Sequence, residues 1–159
     1  MKIRGLIAED FVNYKKPSMF IITAYCDWKC CHEGGFSEEV CQNYAISKGV
    51  VRDIDIDAII ESYLSNPISR AVVIGGLEPF LQFDEILEFV DKFRKVCNED
   101  IVIYTGYTYD EIYNQVNDLR AYKNIIIKFG RYKQNNKPHR DAVLGVDLIS
   151  DNQYAEKIS

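Results

Sequence analysis

Four short runs rich in β-branched and aromatic residues, Met19–Tyr25, Ala71–Ile74, Ile101–Tyr104 and Ile125–Phe129, are separated by stretches whose apolar residues recur at helical spacing. No other feature limits the fold so strongly. The runs are too short for buried helices and read as buried strands. After the first, Ile56, Ile59, Ile60, Tyr63 and Leu64 mark a helix behind Asp53, Asp55 and Asp57, where carboxylates suit a helix N-terminus, and Asn66-Pro67 ends it. Phe83, Ile86, Leu87, Val90, Phe93 and Cys97 form the apolar stripe of a second helix. A third carries Ile112, Val116 and Leu119 behind Thr108 and Glu111, which match a capping box. Strands alternating with helices over short connections call for parallel strands joined by right-handed crossovers, so the fold class is α/β.

The chain has 159 residues, enough for one domain spanning 1–159. A complete eight-unit barrel needs about 250 residues. The expectation is therefore a partial, open (β/α) barrel of mostly parallel strands with helices outside, whose open side suits a large substrate. Residues 130–159 have weaker periodicity and read as an extension made of a loop, a short strand at Val143–Val146 and a terminal helical turn near Ser150–Gln153. Apolar stretches fall well short of the roughly 20 residues of a membrane span. The opening MKIRGLIAEDF lacks a signal peptide's apolar core, so a cytoplasmic protein is predicted. A net charge of −5 with scattered Lys and Arg speaks against a nucleic-acid binder.

Five cysteines are an odd number for a disulfide framework, and four of them, Cys26, Cys30, Cys31 and Cys41, crowd one segment after the first strand. In parallel α/β folds functional groups gather at the carboxyl ends of strands. Three loops of that kind converge here: Cys26–Cys41, Gly75-Gly76-Leu77-Glu78-Pro79 and Thr105-Gly106-Tyr107. Thiolates are soft ligands for iron–sulfur clusters or zinc, and His32 with three cysteines would complete a zinc site. The paired glycines opposite give the close backbone approach that a bound cofactor requires, which a structural zinc does not explain. Cys97 stands apart and reads as a core residue.

Taken together, Cys26-Asp-Trp-Lys-Cys30, Gly75-Gly76-Leu77-Glu78-Pro79 and Tyr104-Thr105-Gly106-Tyr107 resemble the motifs of the radical S-adenosylmethionine (SAM) superfamily, and within it the activating proteins of anaerobic ribonucleotide reductase. The likeness runs from about Met19 to Phe129, and Gly130-Arg131-Tyr132 and Ser150-Asp151-Asn152-Gln153 are similar to activase endings. It implies a [4Fe–4S] cluster held by three cysteines, with SAM on the fourth iron through its amino and carboxylate groups. Gly75, Gly76, Glu78 and Pro79 would form the loop against the SAM amino group. Thr105 and Gly106 would lie near its ribose and carboxylate, and Asn43 is a further candidate contact. The resemblance also implies a large glycyl-radical enzyme as partner and an electron donor such as flavodoxin or ferredoxin.

One departure stands out. The family spaces its cysteines C-x3-C-x2-C, and the third position is Glu33 here. Cys41, followed by Gln42 and Asn43, resembles the Cys-x-Asn that closes the family motif, so the expected ligands are Cys26, Cys30 and Cys41, with Cys31–Val40 inserted in the cluster loop. Cys31 is the alternative third ligand. A radical SAM enzyme acting on a small molecule or peptide, similar to 7-carboxy-7-deazaguanine synthase, is a second reading. An iron–sulfur or zinc protein without SAM chemistry is a third.

Overall fold

The computed structural model describes all residues, 1–159. Its strands and helices are β1 (Lys2–Asp10), β2 (Ser18–Thr23), α1 (Lys29–Gly34), α2 (Tyr44–Ser47), β3 (Arg52–Asp53), α3 (Ile56–Ser65), β4 (Ala71–Gly75), α4 (Phe83–Arg94), β5 (Asp100–Tyr104), α5 (Tyr113–Leu119), β6 (Ile125–Phe129), β7 (His139–Arg140), β8 (Asp147–Leu148) and β9 (Tyr154–Lys157). One seven-stranded sheet has the order β3-β1-β2-β4-β5-β6-β9, and β7 pairs with β8 separately. The central strands β2, β4, β5 and β6 run parallel, while β1, β3 and β9 join antiparallel at the flanks. The chain is thus mixed α/β around a mostly parallel centre.

The four apolar runs are uninterrupted because both faces of the central strands are covered, as parallel sheets require. On one face Val72, Ile74, Ile101, Ile103, Ile125 and Ile127 pack with Ile59 and Tyr63 of α3, Phe89 and Phe93 of α4, and Val116 and Leu119 of α5. On the other, Ala71, Val73, Val102 and Ile126 meet Tyr14, Leu144 and Leu148, so the tail supplies the second cover. Asp55 caps α3 by accepting from the Asp57 N–H at 2.7 Å. Glu111 accepts from both the N–H and the hydroxyl of Thr108, so half of the expected capping box forms.

Three features depart from the sequence reading. The first is β1, whose residues carry no strand alternation in the sequence. Its buried residues do not alternate cleanly, and its pairing with β2 breaks register twice. The second is Val143–Val146, which is a turn rather than a strand: the Asp141 carboxylate accepts from the N–H groups of Val143 and Leu144 and draws the chain into a hairpin between β7 and β8. The third is the end of the chain. Ser150–Gln153 makes a turn, with Gln153 N–H on the Ser150 carbonyl at 3.1 Å, and the residues beyond it extend as β9 along the free edge of β6. No helix is long and apolar enough to cross a membrane.

Candidate metal and cofactor site

Every central parallel strand ends at the same rim, and a cavity of about 300 Å³ opens there. Thr23 closes β2, and its hydroxyl donates to the Gly75 carbonyl at 3.0 Å, which locks the ends of β2 and β4 together. The Cys26–Cys41 segment then crosses the rim. Cys26, Cys30, Cys31 and Cys41 all line the cavity, with Gln42 and Asn43 beside them. Gly76, Glu78, Thr105 and Gly106 line the opposite wall.

Gly75 and Pro79 stand behind that wall. A Cβ on Gly75 would lie 2.9 Å from the Tyr104 Cβ, so its glycine lets β4 and β5 approach, and Pro79 opens a short 3-10 turn as a buried residue. Gly76 has φ +83, and a Cβ there would lie 2.7 Å from Ile22 Cγ2. Only glycine suits such a turn. Cys97 lies away from the cavity and packs against the main core.

Glu78 ties the two glycine turns into one surface. Its Oε1 accepts from the Thr105 hydroxyl at 2.8 Å and the Phe80 N–H at 3.1 Å, and its Oε2 accepts from the Gly106 N–H at 2.9 Å. The Glu78 N–H donates to the Tyr25 carbonyl at 2.7 Å, which fixes the turn to the start of the cysteine segment. Burial pushes the carboxyl up to about 7 despite its three donors. Lys128, on β6, is buried in the same wall and donates to the Gly130 carbonyl at 2.8 Å. Burial brings its amine down to about 8, although Cys30 and Glu78 nearby favour the charge.

Cys31 is buried, and Cys26, Cys30 and Cys41 are half-buried. Burial pushes Cys26 up to about 12 and Cys31 to about 11, and it raises Cys30 as well. For Cys31 the neighbouring Cys41 and Cys30 add to the effect. A soft cation that takes thiolates removes this cost, because metal binding displaces the thiol protons. Gly106 makes room for one of them: a Cβ there would lie 3.1 Å from Cys30 Sγ. Four free thiols around one cavity, one backed by a glycine, form a donor set that suits an iron–sulfur cluster. A single ion is less well served, since no three His, Cys, Asp or Glu side chains gather around one point. His32 in particular lies outside the cavity, 3.7 Å from Glu38.

Several cavity residues escaped sequence reasoning. Lys128 carried a legible signal, a charge inside the apolar run Ile-Ile-Ile-Lys-Phe. Asn13 carried none, because it arrives on the turn between β1 and β2, where its carbonyl accepts from the Tyr104 hydroxyl at 2.5 Å. Gly130, Tyr132 and Gln153, by contrast, belong to the two tail motifs noted in the sequence, and they too reach the cavity.

Residues 18–153 match the family described as a 4Fe-4S single cluster domain. No curated protein and no solved structure matches the chain.

Proposed function

We propose, from the premise that this chain belongs to the 4Fe-4S single cluster domain family, that it is a radical SAM activase that installs a glycyl radical on a large partner enzyme. The observation that carries this reading is convergence. Four cysteines, the Gly76–Glu78 turn and the Thr105–Gly106 turn, from distant parts of the chain, line one cavity at the carboxyl ends of parallel strands. Their motifs resemble those that bind a [4Fe–4S] cluster and SAM in the activases of anaerobic ribonucleotide reductase. The chemistry supplied by a bound, reduced cluster is one-electron cleavage of the SAM carbon–sulfur bond, giving methionine and a 5′-deoxyadenosyl radical that takes a hydrogen atom from a partner glycine.

The chain's own residues bind, orient and exclude water. Cys26, Cys30 and Cys41 hold the cluster. Cys30 and Cys31 leave their helix roughly 100° apart, which favours Cys41 over Cys31 as the third ligand. Gly76 keeps the wall close, and Glu78 would face the SAM amino group while holding Thr105 and Gly106 in place. The parallel strands form part of a barrel wall, and the open side admits the glycine-bearing segment of anaerobic ribonucleotide reductase. The electron donor is a flavodoxin or ferredoxin, and the compartment is the cytoplasm.

The test is anaerobic reconstitution with iron and sulfide, addition of reductant and SAM, and measurement of 5′-deoxyadenosine in the wild type, Cys31→Ala and Cys41→Ala. Product in the wild type and Cys31→Ala but not in Cys41→Ala is expected. A wild type that binds iron and sulfide yet never cleaves SAM refutes the activase reading.

A further inference from the structure

Glu33 occupies the place where the family spacing puts a third thiol, and it is absent from the cavity lining. Its carboxylate turns instead to Arg131, with Oε2 2.6 Å from Nε and Oε1 accepting from Nη2 at 3.0 Å. Arg131 follows β6, and its side chain is only 10% exposed. It also grips Glu111 with two donors, at 2.7 and 2.6 Å, and donates to the Gly106 carbonyl at 3.1 Å.

The helix that carries Cys30 and Cys31 needs such support. It has six residues, its N-cap Trp28 is left-handed at φ 58 and makes no side-chain cap, and only Asp27 accepts from the first N–H, that of Lys29, at 3.2 Å. A helix this short does not hold itself together in water. Polar ties to the wall take over that role. Asp27 accepts from the Tyr107 hydroxyl at 2.7 Å, Lys29 donates to Glu111 at 3.3 Å, and Glu33 closes on Arg131. Glu33 lies three residues beyond Cys30, so the two share nearly one face of the helix. Arg131 therefore holds both sides of Cys30: the helix through Glu33, and the floor beneath the sulfur through Gly106.

We propose that Glu33 and Arg131 form a latch that positions the cysteine helix against the wall for cluster binding, and that Glu33 is a positioning residue and not a ligand. The departure from the family spacing then has a structural use: the position where that spacing expects a thiol anchors the helix that carries two others. The inference rests on the iron–sulfur assignment and is independent of SAM cleavage.

The test uses full-length protein reconstituted without oxygen. Cluster loss to EDTA is followed by the decay of visible absorption in the wild type, Glu33→Gln, Arg131→Gln, Arg131→Lys and the double Gln variant. Glu33→Gln is expected to lose its cluster about fivefold faster, the change that ~1 kcal/mol of lost pairing produces. Its metal-free form should still unfold cooperatively in urea, with a midpoint no more than slightly below that of the wild type, because the Glu33 side chain is 57% exposed. Arg131→Lys should recover part of what Arg131→Gln loses, and Glu33→Gln should add nothing once Arg131→Gln is present. Equal rates in Glu33→Gln and wild type overturn the latch, as does the same added factor in the Arg131→Gln background. Restoration of cluster binding to Cys41→Ala by Glu33→Cys overturns it too, since that position would then face the metal. A wild type that takes up no iron removes the premise and the latch together, whereas absence of 5′-deoxyadenosine leaves the decay rates to decide.

Discussion

Replacing Glu78 by glutamine should erase a pH dependence that the wild-type fold carries. The buried carboxyl is pushed from its ordinary 4.5 up to about 7, chiefly by desolvation, with three donors pulling the other way. Between those two values the folded chain holds a proton that the unfolded chain has released. Stability therefore falls as pH rises from 4.5 and is lowest once Glu78 ionises above about 7. At ~1.4 kcal/mol per pH unit, the full change is roughly 3 kcal/mol. Lys128 acts at higher pH. Its amine, depressed from 10.5 to about 8, releases its proton earlier in the folded chain than in the unfolded one, so it adds stability only as pH climbs from about 8.

Glutamine cannot ionise. Its oxygen can still accept from Thr105 and Phe80, but its amide group meets the Gly106 N–H donor to donor, a loss of about 1–3 kcal/mol. The assay is urea unfolding of reduced, metal-free protein from about pH 5 to about pH 8. The variant should be the less stable form at the acid end and should close or reverse the gap at the alkaline end. Taking the difference between the two proteins cancels the titrating groups that Glu78 does not touch, and Lys128, whose charge Glu78 favours, titrates only at the alkaline limit of the range. A difference that stays flat within ~0.5 kcal/mol across this range would show that Glu78 does not titrate in its buried setting.

Gly76→Ala should cost about 1–3 kcal/mol by urea unfolding, because φ +83 and the 2.7 Å approach to Ile22 both oppose a Cβ. Phe89→Ala removes a fully buried ring stacked 5.6 Å from Phe93 and should cost about 3–5 kcal/mol in the same assay. Glu111→Gln should cost about 1 kcal/mol near neutral pH. Hydrogen bonds from Arg131 hold the Glu111 carboxyl well below the usual carboxylate range, so its contribution is present above 4.5 and is lost as pH falls through the folded value. The gap between Glu111→Gln and wild type should accordingly narrow in acid, and a gap independent of pH would refute the pairing.

Much of the site was legible before the structure because its parts obey local rules. Soft ligands crowd after the first apolar run, paired glycines follow the second, and Thr105-Gly106 follows the third, each at a strand's carboxyl end. The apolar runs themselves gave the four parallel strands, since burial on both faces leaves no polar alternation to obscure them. Glu33 was visible as the break in the cysteine spacing, yet its partner was not. Arg131 lies 98 residues along the chain, and nothing in local sequence pairs them.

The flanks were hidden for a related reason. Tyr154–Lys157 has three exposed residues of four and no strand pattern of its own, and it becomes β9 only because β6 offers an unpaired edge. Val143–Val146 looks like a strand until Asp141 collects its backbone donors. The sequence by itself determined the α/β alternation, the thiol cluster and the glycine turns, all of which depend on neighbours in the chain. Tertiary structure alone decided the edges, the burial of Glu78 and of Lys128, and the Glu33–Arg131 tie, because each depends on desolvation and contacts made by residues far apart in the chain.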